Sequence, residues 1–124
     1  MRIVGISSAK PLFVGCTFLI AAAVSGCGGP NASDPISACK ATVSSVCERS
    51  FQCFPTESQQ FYGSLADCNA GLSANICTAA LTTCSAGLKF DSGAASRCVE
   101  DYKNVACGDI LNSIAPASCN ETCR

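Results

Sequence analysis

The sequence contains no histidine and no tryptophan, and only 14% of its 124 residues are charged. Without histidine the commonest general base is missing, so neither a Ser–His–Asp nor a Cys–His arrangement can be assembled. Without tryptophan, and with six aromatic residues after position 50 (Phe51, Phe54, Phe61, Tyr62, Phe90 and Tyr102), the core is expected to be thin. No cluster of lysine and arginine exists to meet phosphate, which gives no support for nucleic-acid binding or for attraction to anionic lipid. From Cys27 onward there are six basic and nine acidic side chains, a net charge of −3. No alternating strand pattern and no internal repeat is visible.

A long apolar run is also missing. Leu12–Val24 is uncharged but has only thirteen residues, and a bilayer-spanning helix needs about 20. Arg2 and Lys10 flank its start, and small residues follow it. That order describes a secretory signal peptide over residues 1–26.

Val24-Ser25-Gly26-Cys27 resembles a bacterial lipobox, in which an aliphatic and two small residues precede a cysteine. Small residues let an extended backbone enter the peptidase site. The cysteine then supplies a thiol for a diacylglyceryl thioether and an amine for a further acyl chain. Cys27 is thus the expected lipid attachment site and the membrane the expected partner. The alternative is an ordinary cleavage within Ala21-Ala22-Ala23, with Cys27 as one more disulfide partner. Phe13-Val14-Gly15-Cys16 is a poorer lipobox because its lead residue is aromatic and little apolar chain precedes it.

What is abundant is cysteine, at twelve residues. Setting Cys16 and Cys27 aside leaves Cys39, Cys47, Cys53, Cys68, Cys77, Cys84, Cys98, Cys107, Cys119 and Cys123. An even number in a small exported chain reads as a disulfide framework. Ten cysteines allow about 945 pairings by simple counting. Metal binding is the rival, but there is no CxxC, and only Cys119 and Cys123 lie at zinc-ligand spacing. No metal and no cofactor is expected, and the missing CxxC also argues against a thioredoxin-like role.

Residues 27–33 form the lipidated cysteine and a Gly/Pro/Ser tether, and residues 34–124 the folded domain. There the apolar positions recur at helical spacing. Ile36, Cys39, Val43, Val46, Cys47 and Phe51 share one stripe, with Asp34 as N-cap, Pro35 at N1 and an end near Cys53-Phe54-Pro55. A second stripe holds Phe61, Leu65, Cys68 and Leu72, and Ser64 is an alternative start through a capping box with Asp67. The third runs from Cys77 through Leu81 and Cys84 towards Gly87. The fourth spans Ala95 to Ala106, and a short turn at Ile110 to Ile114 stops at Pro116. The expected fold is all-α, a small disulfide-stapled bundle of about four short helices.

Within single straight helices, Cys39–Cys47, Cys77–Cys84 and Cys98–Cys107 would be about 12, 10 and 13 Å apart. A disulfide needs Cα atoms within about 7 Å, so none of these pairs is expected to be bonded. Bridges should join different helices, or a helix and the tail.

No catalytic constellation is visible. Glu100 and Asp101 are adjacent and diverge around a helix. Gly26-Cys27-Gly28-Gly29 lacks the strand, GK[ST] and helix of a phosphate loop. Phe61-Tyr62 could be a ligand platform or could pack at a helix start. Two functions are expected from this: a non-enzymatic lipid-anchored envelope protein with a structural or protein-contact role and an unknown envelope partner, or a disulfide-rich ligand-binding or enzyme-inhibiting module. Gln52–Gln60 and Lys89–Gly93 are the candidate loops for the second, which an apolar patch beside one of them would favour.

From Phe61 onward the layout resembles the small cysteine-rich lipoproteins and secreted proteins of myxobacteria. The carrying segments are Phe61-Tyr62-Gly63-Ser64-Leu65-Ala66-Asp67-Cys68, Cys77, Phe90-Asp91, Ala94-Ala95-Ser96-Arg97-Cys98, Cys107-Gly108-Asp109-Ile110 and Pro116-Ala117-Ser118-Cys119. Roughly half the chain is covered. The resemblance implies compartment and architecture but no reaction. Cys84 and Cys123 depart from the usual pattern, so no disulfide map is carried over. By the same resemblance, Gly28 is not the aspartate that retains lipoproteins in the inner membrane of enteric bacteria, which implies the outer membrane.

Overall fold

A computed structural model describes residues 32–124. The expected signal peptide, Cys16, Cys27 and most of the tether lie outside the described residues. Helix α1 spans Pro35–Cys53 and is the central element. Asp34 caps it, its carboxylate accepting from the backbone N–H of Ile36 and Ser37 at 3.0 Å each. Pro35 takes the first helical position, where a missing N–H costs nothing. Pro55 ends α1, because the residue before a proline is driven out of the helical region. Phe54 accordingly sits at φ −138°.

The chain turns there directly into α2, Pro55–Tyr62. This corrects the expectation of a loop over Gln52–Gln60, most of which is helical. The buried Ser58 hydroxyl donates to the Ser50 carbonyl at 3.0 Å and fastens α2 back onto α1. Gly63 closes α2 at φ +82°, a left-handed conformation that favours glycine. Helix α3, Leu65–Ile76, starts at Ser64, whose hydroxyl oxygen accepts from the Asp67 N–H at 3.1 Å. Ser64→Ala is expected to lower unfolding stability by about 1 kcal/mol, measured by urea titration.

The expected third helix is cut short. Only α4, Ala79–Thr82, forms before the chain leaves as a loop. Thr82 and Thr83 turn their hydroxyls onto the carbonyls of Thr78 and Ala79, at 2.9 and 2.6 Å. Cys84 is bonded to Cys123 in the C-terminal tail, and the chain leaves the helical path there. Helix α5 covers Ser92–Asn104 and α6 covers Cys107–Leu111. A 3-10 helix, Ala117–Glu121, leads into the tail. Among the described residues six α-helices stand where about four and one further short turn were expected; α2 is the unforeseen element, and α6 overlaps the start of the expected turn. Among the described residues no strand forms; a single antiparallel bridge joins Phe90 to Cys123.

The ten cysteines form five bridges: Cys39–Cys77, Cys47–Cys68, Cys53–Cys107, Cys84–Cys123 and Cys98–Cys119. Their Cα separations run from 4.6 to 6.0 Å. The three excluded pairs are indeed unbonded, although only Cys39 and Cys47 share one helix: Cys77 and Cys84 flank the short α4, and Cys107 opens α6 after the break that ends α5. Four bridges join a helix or its cap to another helix or to the 3-10 helix; Cys84–Cys123 ties a loop to the tail. Five such bonds belong to an oxidising, exported environment.

Two small cores result. Val43, Cys47, Cys68 and Cys77 fill the space between α1 and α3, with Phe51, Tyr62 and Leu72 packed around them. Ala38 and Ala95 bring α1 and α5 together, with Ala32 and Phe90 beside them. Ala32, placed in the tether by sequence, is therefore already packed on the domain. Arg49 of α1 donates from Nε to the Val105 carbonyl at 2.8 Å, at the joint between α5 and α6.

Candidate functional site

Between the two cores the helices leave an apolar groove of about 610 Å³. Its floor is α1, where lining positions recur from Pro35 to Val46. Leu72 and Ile76 of α3 and Leu81 of α4 form one wall. Phe90, Ala95, Cys98 and Tyr102 form the other, and the tail closes it through Cys119 and Cys123. Helical spacing explains why α1 contributes so many residues. Pro35, Ala38, Cys39, Thr42, Val43 and Val46 follow the i, i+3, i+4, i+7 rule and share one face.

No aspartate, glutamate, lysine or arginine lines this groove. Its hydroxyls are turned away from any occupant. Thr42 donates to the Ala38 carbonyl at 2.9 Å and Thr122 to the Cys119 carbonyl at 3.0 Å, and Thr82 and Thr83 donate within their own turn. Those oxygens keep only lone pairs for a ligand. Tyr102 is the exception: among the described residues its hydroxyl makes no hydrogen bond. Burial alone pushes the Tyr102 phenol above its ordinary value of 10.0, because desolvation disfavours the phenolate. It stays a neutral donor across the physiological range.

Three bridges border the groove through Cys39, Cys98, Cys119 and Cys123. Cys77 pins the start of the α4 segment to α1, and Cys84 pins its end to the tail. These bonds fix where the segments that form the walls sit relative to one another. All ten sequence-predicted disulfide cysteines thus have partners, and several of them also shape the groove, a role their spacing did not show.

The candidate loop Lys89–Gly93 does border the groove, through Phe90. Its backbone is fixed to the tail, with Lys89 and Arg124 exchanging bonds of 2.9 and 3.0 Å. Asp91 caps α5, accepting from the Ala94 N–H at 2.8 Å, and forms an ion pair with Arg124. Phe61 and Tyr62 lie at the end of α2 and not at a helix start. Their rings meet edge to face with centroids 4.8 Å apart, Phe61 being 80% exposed. Glu100 pairs with Lys103 at 2.7 Å on the surface, and Asp101 accepts from the Ser118 hydroxyl at 2.6 Å. Neither faces the groove. Among the described residues no group of three or more acidic or cysteine side chains is arranged to hold a metal ion.

The two capping aspartates set a pH dependence. The Ser37 hydroxyl and then the Ser37 N–H hold Asp34 below its ordinary 3.8. The Ala94 N–H, followed by Arg124, holds Asp91 below it too. A depressed folded-state value means stability that is complete above pH 3.8 and lost as pH falls through the folded value. Thermal melts are therefore expected to drop below about pH 4, and the double change Asp34→Asn, Asp91→Asn to flatten that limb.

The sequence matches no protein-family model, and searches of curated proteins and of solved structures give no match.

Proposed function

We propose that this protein is a non-enzymatic binding module of the cell envelope, exported by residues 1–26, anchored through lipid on Cys27, and built to hold an apolar ligand in the groove on α1. The observation that carries the reading is the uncharged groove of about 610 Å³ bordered by three disulfides. Ligand pockets of about 300–1,000 Å³ with mostly apolar walls and few polar groups are the ordinary form of small-molecule sites. Rigid walls favour binding because less conformational freedom is lost on association. Tyr102 offers one hydrogen bond to orient a ligand carrying a single acceptor. The lipobox at Val24-Ser25-Gly26-Cys27 supports the anchor. Two or three acyl chains, each burying many methylenes at about 0.8 kcal/mol, make attachment effectively permanent. Gly28, by resemblance to other lipoproteins, supports residence in the outer membrane.

The test is a titration of the unanchored Cys27→Ser protein with N-phenylnaphthylamine, a neutral apolar fluorophore. Saturable, blue-shifted emission at one probe per chain is expected. A linear, non-saturating response would remove the ligand-binding reading.

The protein-contact role has its own supporting observation, the exposed corner where α2 meets α3. Phe61 is 80% exposed there and Leu65 stands next to it at 37%. A cross-link from position 61 to one recurring envelope protein in intact cells supports that role, and adducts scattered over abundant proteins contradict it.

A further inference from the structure

The groove has a length, a polarity and a place beside the start of the domain, and together they specify its occupant. Lining residues run along α1 from Pro35 to Val46, which is about 16 Å at 1.5 Å per residue. An acyl chain crossing one leaflet spans about 15 Å, half of the bilayer's hydrocarbon core. The uncharged walls disfavour a free fatty-acid carboxylate, which would sit there without a counter-ion. A hydrocarbon chain joined through a neutral ester, amide or thioether suits them.

The path of the polypeptide says where such a chain comes from. Ala32 is buried against Ala38 and Ala95, with Phe90 beside them. Ala38, Ala95 and Phe90 also line the groove. The backbone therefore joins the domain at the Pro35 end of the groove. Cys27 is five residues before Ala32, a reach of about 17 Å at most. Acyl groups on Cys27 are thus held within reach of the groove mouth. Such a short connection gives an intramolecular ligand an effective concentration that a free lipid must exceed to compete.

We infer that the groove houses one of the acyl chains attached at Cys27, so that the domain shelters part of its own anchor and sits close against the membrane surface. The inference rests on both parts of the proposed function, lipidation at Cys27 and apolar binding in the groove.

The test places a photoactivatable benzophenone side chain at Leu81 in the full-length protein, expressed in its native envelope. Leu81 lines the groove yet is 66% exposed, so the domain should tolerate the change. The same group at the exposed Glu57 on α2, which does not line the groove, is the control. After irradiation and proteolysis, mass spectrometry identifies what each position has captured. The expected result is an adduct between the residue-81 peptide and the lipidated Cys27 peptide, at least tenfold more abundant than from position 57. Phospholipid adducts alone at position 81, or equal yields from both positions, overturn the inference and leave apolar binding standing. An absence of any hydrocarbon adduct at position 81 overturns the inference and the binding reading together. A Cys27 peptide that carries no lipid overturns the anchor, and the inference with it.

Discussion

Replacing Cys47 and Cys68 together by alanine is expected to lower the unfolding free energy by about 5 kcal/mol. The bridge closes a segment of sequence separation 21, and restricting that loop in the unfolded chain contributes about 3 kcal/mol. The rest comes from packing. Cys47 and Cys68 are 0% and 1% exposed and form the middle of the α1–α3 core. Deleting two buried sulfurs leaves a cavity there, and cavity creation of this size costs roughly 2 kcal/mol. A domain of this size has about 5–15 kcal/mol in total, so the variant should lose a third or more of its stability. Far-UV circular dichroism against urea gives the value. A loss under 2 kcal/mol would show that the α1–α3 core stands without its bridge.

The second large effect concerns the groove. Ile76→Lys combined with Leu81→Lys is expected to weaken N-phenylnaphthylamine binding by about a hundredfold. Both side chains line the groove, yet they are 45% and 66% exposed. Their replacement therefore removes little buried area, and stability should move by no more than about 0.5 kcal/mol. A bound apolar molecule would have to strip water from two ammonium groups that have no partner in the groove, and an uncompensated desolvation of that kind costs several kcal/mol. Glu57→Lys, on the outer surface of α2, adds the same charge without touching the groove and should leave binding unchanged. If the paired lysines bind the probe as well as the parent does, the ligand sits elsewhere.

Much of the helical framework was legible because its signals are local. Asp34 and Pro35 start α1, Pro55 stops it, and Ser64 with Asp67 starts α3, each acting through atoms within four residues. The all-α class followed from apolar periodicity. The readings that failed depended on weaker or longer-range causes. Helix α2 is polar, so it gave no apolar stripe, and its packing rests on one serine hydroxyl. The run from Cys77 to Gly87 has a helical pattern, but the bond from Cys84 to the tail takes the chain off it. The close approach of α1 and α5 uses Ala38 and Ala95, residues too small to register as a core stripe.

The groove was not legible for a different reason. Its walls come from five segments, and their arrangement depends on which cysteines pair. Helix geometry removed three pairings, which leaves most of the roughly 945 open. The sequence did show that an apolar patch beside Lys89–Gly93 would favour ligand binding, and Phe90 supplies that contact. The spacing of Cys39, Cys98, Cys119 and Cys123 carried no sign that these residues would also frame a cavity.

One measurement tests both the proposed lipid on Cys27 and the five bridges. The intact mass of the protein from native membranes, alkylated without reduction, is expected to equal residues 27–124 plus one diacylglyceryl group, with or without a third acyl chain on the amine, less the ten hydrogens lost to five disulfides. Digestion of the same sample should return Cys39–Cys77, Cys47–Cys68, Cys53–Cys107, Cys84–Cys123 and Cys98–Cys119 as linked peptides. An unlipidated mass would contradict the anchor. Alkylation of two or more of the ten cysteines would contradict the stapled fold and the groove its bridges border.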